Sequence, residues 1–142
     1  MKYELTDETK IFFGRTLHRI KATKDFEDVR AGELGGWIEK EENLSQDGNC
    51  WVDGNAWVSG NASVWGKNHV LRISPIGSRD DTVTFMRTKD HKIAVSVGCF
   101  YGSVDEFERA VLETHGNNEH AQAYKLAIEL AKLRIDLKGD IL

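Results

Sequence analysis

Residues 48–66, GNCWVDGNAWVSGNASVWG, repeat every six residues. Gly48, Gly54, Gly60 and Gly66 keep that step, as do Val52, Val58 and Val64, and Cys50, Ala56 and Ala62. An ordinary half-buried strand needs only a period of two. A period of six points instead to a coil whose short sides each carry one hexad, the pattern of a parallel β-helix. Val then faces the inside, where β-branched residues stack from turn to turn. The small fifth residue of each hexad marks the corner. The Gly-Asn pairs at 48–49, 54–55 and 60–61 supply the bend, because both residues accept positive φ.

Framed this way, seven hexads run from 34 to 75. Their fifth positions read Ile38, Leu44, Cys50, Ala56, Ala62, Asn68 and Ser74. Lys40 and Gln46 break the apolar rule near the start. So short a stack needs covering at its ends. Residues 1–33 are suited to cover one end. Short alternating runs there flank Phe12-Phe13-Gly14-Arg15, a hairpin turn, with Leu17 and Ile20 pointing inward. His18, among charged neighbours, reads as a surface strand residue. Trp51, Trp57 and Trp65 could stack sugars or bases. Successive hexads face different sides, so packing or a subunit interface is the preferred reading. Cys50 belongs to the small corner series and reads as packing.

From Val70 the period changes. Val70–Ile73 is a short apolar run before Ser74-Pro75. Residues 82–87 and 93–99 alternate around the polar tip Lys89-Asp90-His91-Lys92, an antiparallel hairpin. Ile93, Val95, Val97 and Cys99 share one face, and the small residues Ala94, Ser96 and Gly98 opposite would let a helix pack closely. Ser103 and Glu106 form a capping box for a first helix through Val104, Phe107, Ala110 and Val111, stopped by Gly116. A second helix runs from about Asn118 to about Leu137 and is ended by Gly139. It is apolar on two faces, so its own domain or another subunit must wrap it. The expected fold is therefore α+β. An N-terminal β-hairpin cap (1–33) precedes a short β-helix-like hexapeptide stack (34–69). A C-terminal module (70–142) follows, with a β-hairpin and then two helices.

Composition bounds the function. The chain has 142 residues, 19 Lys plus Arg against 23 Asp plus Glu, and net charge −4. General nucleic-acid coating is excluded as a role. Charge is uneven: residues 72–92 hold five bases against three acids, and 103–142 hold eight acids against five bases. Cys50 and Cys99 show no metal-ligand spacing, and no Walker loop, zinc motif or nucleophile elbow occurs. No metal or cofactor is expected. Without a signal peptide or a span of 18 apolar residues, a soluble protein of a reducing compartment is expected, with no membrane partner.

The most site-like stretch is 74–82, Ser-Pro-Ile-Gly-Ser-Arg-Asp-Asp-Thr. Loop amides, a Ser hydroxyl and an Arg fork are the groups that hold a phosphate or carboxylate. The candidate binding residues are Gly77, Ser78, Arg79, Asp81, Arg87 and His115. An ordinary loop with a surface Arg is the bland alternative. His115, closing a helix, is also explained as a cation at a helix C-terminus. A Cys99–His115 nucleophile and base pair ranks below binding, because nothing in sequence orients the two.

Tyr3-Glu4-Leu5-Thr6, Gly35-Gly36-Trp37-Ile38-Glu39, Glu42-Asn43-Leu44-Ser45 and the Gly-Asn-Ala-x-Val units resemble small phage and prophage proteins with hexapeptide-like repeats. Residues 73–79, Gly98-Cys99-Phe100 and Thr114-His115-Gly116 resemble the non-repetitive module that follows such repeats. The resemblance implies a non-enzymatic phage accessory protein in the cytoplasm of the bacterial host. It would counter host defence, as an anti-CRISPR-type inhibitor does, by occluding a host defence protein or sequestering a small anionic ligand such as a nucleotide. A homo-oligomer is expected. A small enzyme acting on a phosphorylated substrate, or a structural phage oligomer, is the alternative.

Overall fold

The computed structural model describes residues 1–12, 14–98 and 100–138. The expectations placed on Phe13, Cys99 and Gly139 lie outside these. The described residues are α+β, with two four-stranded sheets and two α-helices among them, and neither sheet closes into a barrel.

The first sheet has the order β1 (Tyr3–Phe12), β2 (Arg15–Ala22), β3 (Leu34–Ile38), β4 (Trp57–Val58). The turn at Gly14 joins β1 and β2, and β2 runs antiparallel along β3. The hairpin thereby covers the open edge of the first hexad. The pairing of β2 with β3 slips between Arg19 and Lys21. This slip lets Leu17 and Ile20, three apart, both be buried.

β3 and β4 are parallel, pairing Trp37 with Trp57 and Ile38 with Val58. A bridge of the same sense joins Leu44 to Val64. Each pair is separated by twenty residues, close to three hexads. Gly48, Gly54 and Gly60 take φ of +72°, +58° and +60° at the three Gly-Asn turns. Val52, Val58 and Val64 are buried with Cys50, Ala56 and Ala62 in one core, beside Tyr3, Ile20, Ile38 and Leu44. The valine series and the corner series therefore both point inward. Gly36 is required by proximity, since a Cβ there would stand 2.5 Å from the Ala56 carbonyl oxygen and 2.8 Å from Val52.

One end of this core is closed by Lys2, which is fully buried. Its ammonium donates to the Cys50 carbonyl at 2.7 Å and lies 3.4 Å from the Asp47 carbonyl and the Cys50 sulfur. A buried ammonium is tolerable only with such partners.

The second sheet runs β5 (Val70–Ile76), β6 (Asp81–Arg87), β7 (Ile93–Val97), β8 (Phe100–Ser103), antiparallel throughout. The expected hairpin is its centre. Two further strands extend it, and the last hexad, 70–75, lies in β5 rather than on the repeat. Helices α1 (Val104–His115) and α2 (Glu119–Arg134) follow. The Ser103–Glu106 capping box is present, with Ser103 Oγ accepting from Glu106 N at 3.1 Å and Glu106 Oε1 accepting from Ser103 N at 3.0 Å. Asn118 caps α2 through Ala121 N at 3.0 Å. The second helix stops at Arg134, short of Leu137. Past it the chain is pinned back, with Asp136 N donating to Asn68 O at 2.8 Å and the Leu137 carbonyl 2.7 Å from His91 Nδ1.

The helices take the opposite face of β7 from the one expected. Val83, Phe85, Ile93, Val95 and Val97 pack against Phe107, Tyr124, Ala127, Ile128 and Ala131. The small face turns to the hexads instead: Ala94 and Met86 join the first core, and the Ser96 hydroxyl donates to the Trp57 carbonyl at 2.8 Å. Small residues permit close approach, and here the element that approaches is a strand. The second sheet is thus the middle of three layers. Among the described residues no helix is long and apolar enough to cross a membrane.

Candidate functional site

Five of the six candidate residues gather at one end of the C-terminal module. The β5–β6 turn carries Gly77, Ser78 and Arg79, with Ser78 and Arg79 exposed. The turn abuts α2 because Gly77 has no side chain: a Cβ there would collide with the Tyr124 hydroxyl and stand 2.9 Å from its Cζ. Gly77 also takes φ +81°, which an L side chain resists. Asp81 opens β6 close enough to act on Tyr124, whose hydroxyl is held above the usual phenol value by burial and then by the Asp81 charge.

His115 reaches the same place from the other side. It closes α1 and stacks on the Tyr124 ring, with centroids 6.1 Å apart and an interplanar angle of 28°. His120, in the first turn of α2, stands 5.4 Å from His115, ring to ring. Tyr124 is therefore the hub joining the turn to the histidines. Sequence reasoning marks neither Tyr124 nor His120 as a site residue. The signal available is Tyr124's place on the inward stripe of α2, which reads as core.

Arg79 has no hydrogen-bond or ion-pair partner among the described residues. Other arginines are engaged: Arg72 meets Asp53 at 2.7 Å and Arg15 meets Glu39 at 3.1 Å. A solvated guanidinium on a turn held against Tyr124 offers charge-assisted donors to a phosphate or carboxylate.

Arg87 does not belong to this cluster. It ends the strand that Asp81 begins, roughly 20 Å away at ~3.3 Å per residue. Its side chain is buried, with Nη1 against Nε2 of buried His69. Arginine can only donate, so Nε2 is the acceptor in this contact. Trp65 N stands 3.3 Å from Nδ1 on the other side of the ring. Burial and then the Arg87 charge hold the His69 imidazole below its ordinary value. Arg87 also presents its carbonyl to Ser63 N at 2.9 Å. It ties β6 to the end of the hexads.

The three repeat tryptophans form no common platform. Trp51 meets Phe26 edge-on at 5.4 Å. Trp57 is buried between Phe12 and Tyr101, each 5.8 Å away, and Trp65 packs on His69 at 5.3 Å. A subunit-interface role is thereby removed for Trp57, which is core. Cys50 is buried, and burial pushes its thiol up, against the pull of Lys2. That leaves it a packing residue.

Two cavities accompany these elements. A groove of about 890 Å³ lies between α1 and α2, floored by Val111, Ala121 and Ile128 and rimmed by Arg109, Lys125 and Glu129. It reaches Gly116 and Asn117, next to His115. A smaller cleft of about 330 Å³ lies beside Trp51, Lys67 and Arg72. No group of three or more His, Cys, Asp or Glu among the described residues is arranged to hold a metal ion.

No family model matches the chain. It is 42% identical over 59 residues to the uncharacterized acetyltransferase YdcK of Escherichia coli strain K12. That match covers 36% of this chain and 18% of the relative, so the chain spans under a fifth of that protein's length.

Proposed function

We propose that this protein is a non-enzymatic phage accessory factor that counters host defence by binding. Its working end is the cluster of Gly77, Ser78, Arg79, Asp81, Tyr124 and His115. The ligand is a phosphate-bearing nucleotide or an anionic surface of a host defence protein. The observation that carries this reading is the unengaged Arg79 guanidinium on a turn docked against Tyr124, the ring on which His115 stacks. Mixed charge nearby, with Asp80 and Asp81 in the same turn, favours a shaped ligand over bulk polyanion. The mechanism is sequestration or occlusion.

In this reading the hexads are a short β-helix that presents the module. The twenty-residue parallel offset, the inward valines and the positive-φ Gly-Asn turns support it. Calorimetry against cyclic dinucleotides, mononucleotides and inorganic phosphate tests the ligand. Saturable heat that disappears in Arg79→Ala is expected. A silent titration with every nucleotide, together with an Arg79→Ala protein that still protects phage, would refute the proposal.

A second reading is acetyl transfer, favoured by the name of the partly matching relative. Incubation with acetyl-CoA and a panel of amine and hydroxyl acceptors distinguishes it. Thiol release above the blank would support transfer and count against a purely binding role.

A further inference from the structure

Helix α2 is packed on one side and bare on the other. Ala121, Tyr124, Ala127, Ile128 and Ala131 are buried against the second sheet and α1. Half a turn away, at 100° per residue, stand Leu126, Leu130 and Leu133, which are 66%, 42% and 83% exposed. Ala123, half-buried against the helix-side core, stands at the edge of this face, and the four step by three, four and three residues, the a and d spacing of a coiled-coil seam. On the α1 side lies the groove between the two helices, spanned by Glu108 and Lys132 at 3.7 Å with Glu129 on its rim, and the three leucines do not line it.

The flanking charges choose the occupant. With Ala123 and Leu130 at a and Leu126 and Leu133 at d, Glu129 falls at g and Arg134 at the following e. Both are exposed and neither has an ion-pair partner among the described residues. In a parallel pair the g residue of one helix faces the next e residue of the other. Glu129 then meets Arg134 of the second copy, twice by symmetry. An antiparallel pair would instead set g against g, giving Glu129 only Gln122 or Glu129 of the second copy and no basic partner. Because α2 is already folded by its own domain, pairing it requires no helix formation, which isolated two-heptad helices could not sustain.

We propose that α2 is a self-association surface. It forms a parallel, two-fold seam with α2 of a second copy along Ala123, Leu126, Leu130 and Leu133, flanked by two Glu129–Arg134 ion pairs between copies. Such an interface is isologous and closes at a dimer. Its failure would not touch the binding proposal above, whose test reads nucleotide binding and not association.

Sedimentation equilibrium of the whole chain over a wide micromolar range tests the seam. A concentration-dependent dimer is expected. Leu130→Glu should abolish it while leaving the melting temperature of the dilute protein unchanged, since Leu130 is not in the core. Glu129→Arg should weaken dimerisation about tenfold by setting Arg against Arg, and adding Arg134→Glu should restore it to near the wild-type constant. Ala123→Cys should give a disulfide-linked dimer on mild oxidation, above the background of the unsubstituted chain, because only a parallel seam brings residue 123 against itself. A monomer at all concentrations would overturn the proposal. So would a dimer indifferent to Leu130→Glu, failure of the charge swap to rescue, or an Ala123→Cys protein that links no better than wild type.

Discussion

The two cores on either face of the second sheet obey different rules. The one towards the hexads is built from small and β-branched residues at fixed spacing: Val52, Val58, Val64, Cys50, Ala56, Ala62. Its backbones approach until no Cβ fits at Gly36. The one towards the helices is built around rings. Phe107 meets Tyr124 at 5.1 Å and Phe100 at 5.5 Å, and its outermost helix keeps a bare leucine face. A core of close backbones specifies its own geometry and has little left over for partners. A core of rings beneath two helices closes less completely and leaves grooves and faces at its margin. The Arg79 guanidinium lies on that second side, on the turn held against Tyr124.

The contrast can be broken by opposite operations. Removing a ring should hurt the helix-side core most, and Phe107→Ala should lower stability by about 4 kcal/mol in urea unfolding. Adding a single methyl should hurt the hexad core, where the neighbour is carbonyl oxygen that cannot rotate aside. Gly36→Ala should lower stability by about 3 kcal/mol, at the upper end of overpacking costs. If Gly36→Ala is neutral, the close approach of the two turns is not as described. Removing the cap between sheet and helix has a smaller effect, with Ser103→Ala costing about 1 kcal/mol. That loss should appear as faster amide exchange in the first turn of α1.

The smallest expected effect concerns pH. The folded state binds a proton at His69 less readily than the unfolded chain, where histidine titrates near 6.5. The unfolded state then holds more protons below about pH 6.5, so this contribution is full above that value and is lost as pH falls towards the folded pKa. His69→Gln keeps an acceptor for Arg87 without a titrating ring. Its stability should fall less than wild type between pH 7.5 and 5.5, and identical slopes would count against a buried neutral His69.

Features set by neighbouring residues were legible in the sequence. The Gly-Asn turns, the Ser103–Glu106 box, the 82–97 hairpin and both helix starts need only local chemistry. Features set by distant partners were not. β8 holds Gly102, a poor strand residue that its antiparallel neighbour Val95 makes part of a strand, and β5 carries Pro75 where its pairing with β6 is interrupted between Ile73 and Ile76. Arg87 reads as a surface ligand in sequence because its buried partner His69 lies eighteen residues away. The face of β7 chosen by the helices depends on which element needs the closest approach, and alternation alone does not state that. Gly77, Arg79 and His115 stand out by their chemistry, but Tyr124, which joins them, is hidden among core residues.

The division of labour between the two sides is tested most directly by one calorimetric comparison. Wild type, Arg79→Ala and Arg72→Ala are titrated with the same phosphate-bearing nucleotides. Arg72, paired with Asp53, belongs to the hexad side, and Arg79 to the turn beside Tyr124. Saturable binding in wild type and Arg72→Ala, lost in Arg79→Ala, is the predicted result. Binding that survives Arg79→Ala and fails in Arg72→Ala would place the site on the hexad side and contradict the account.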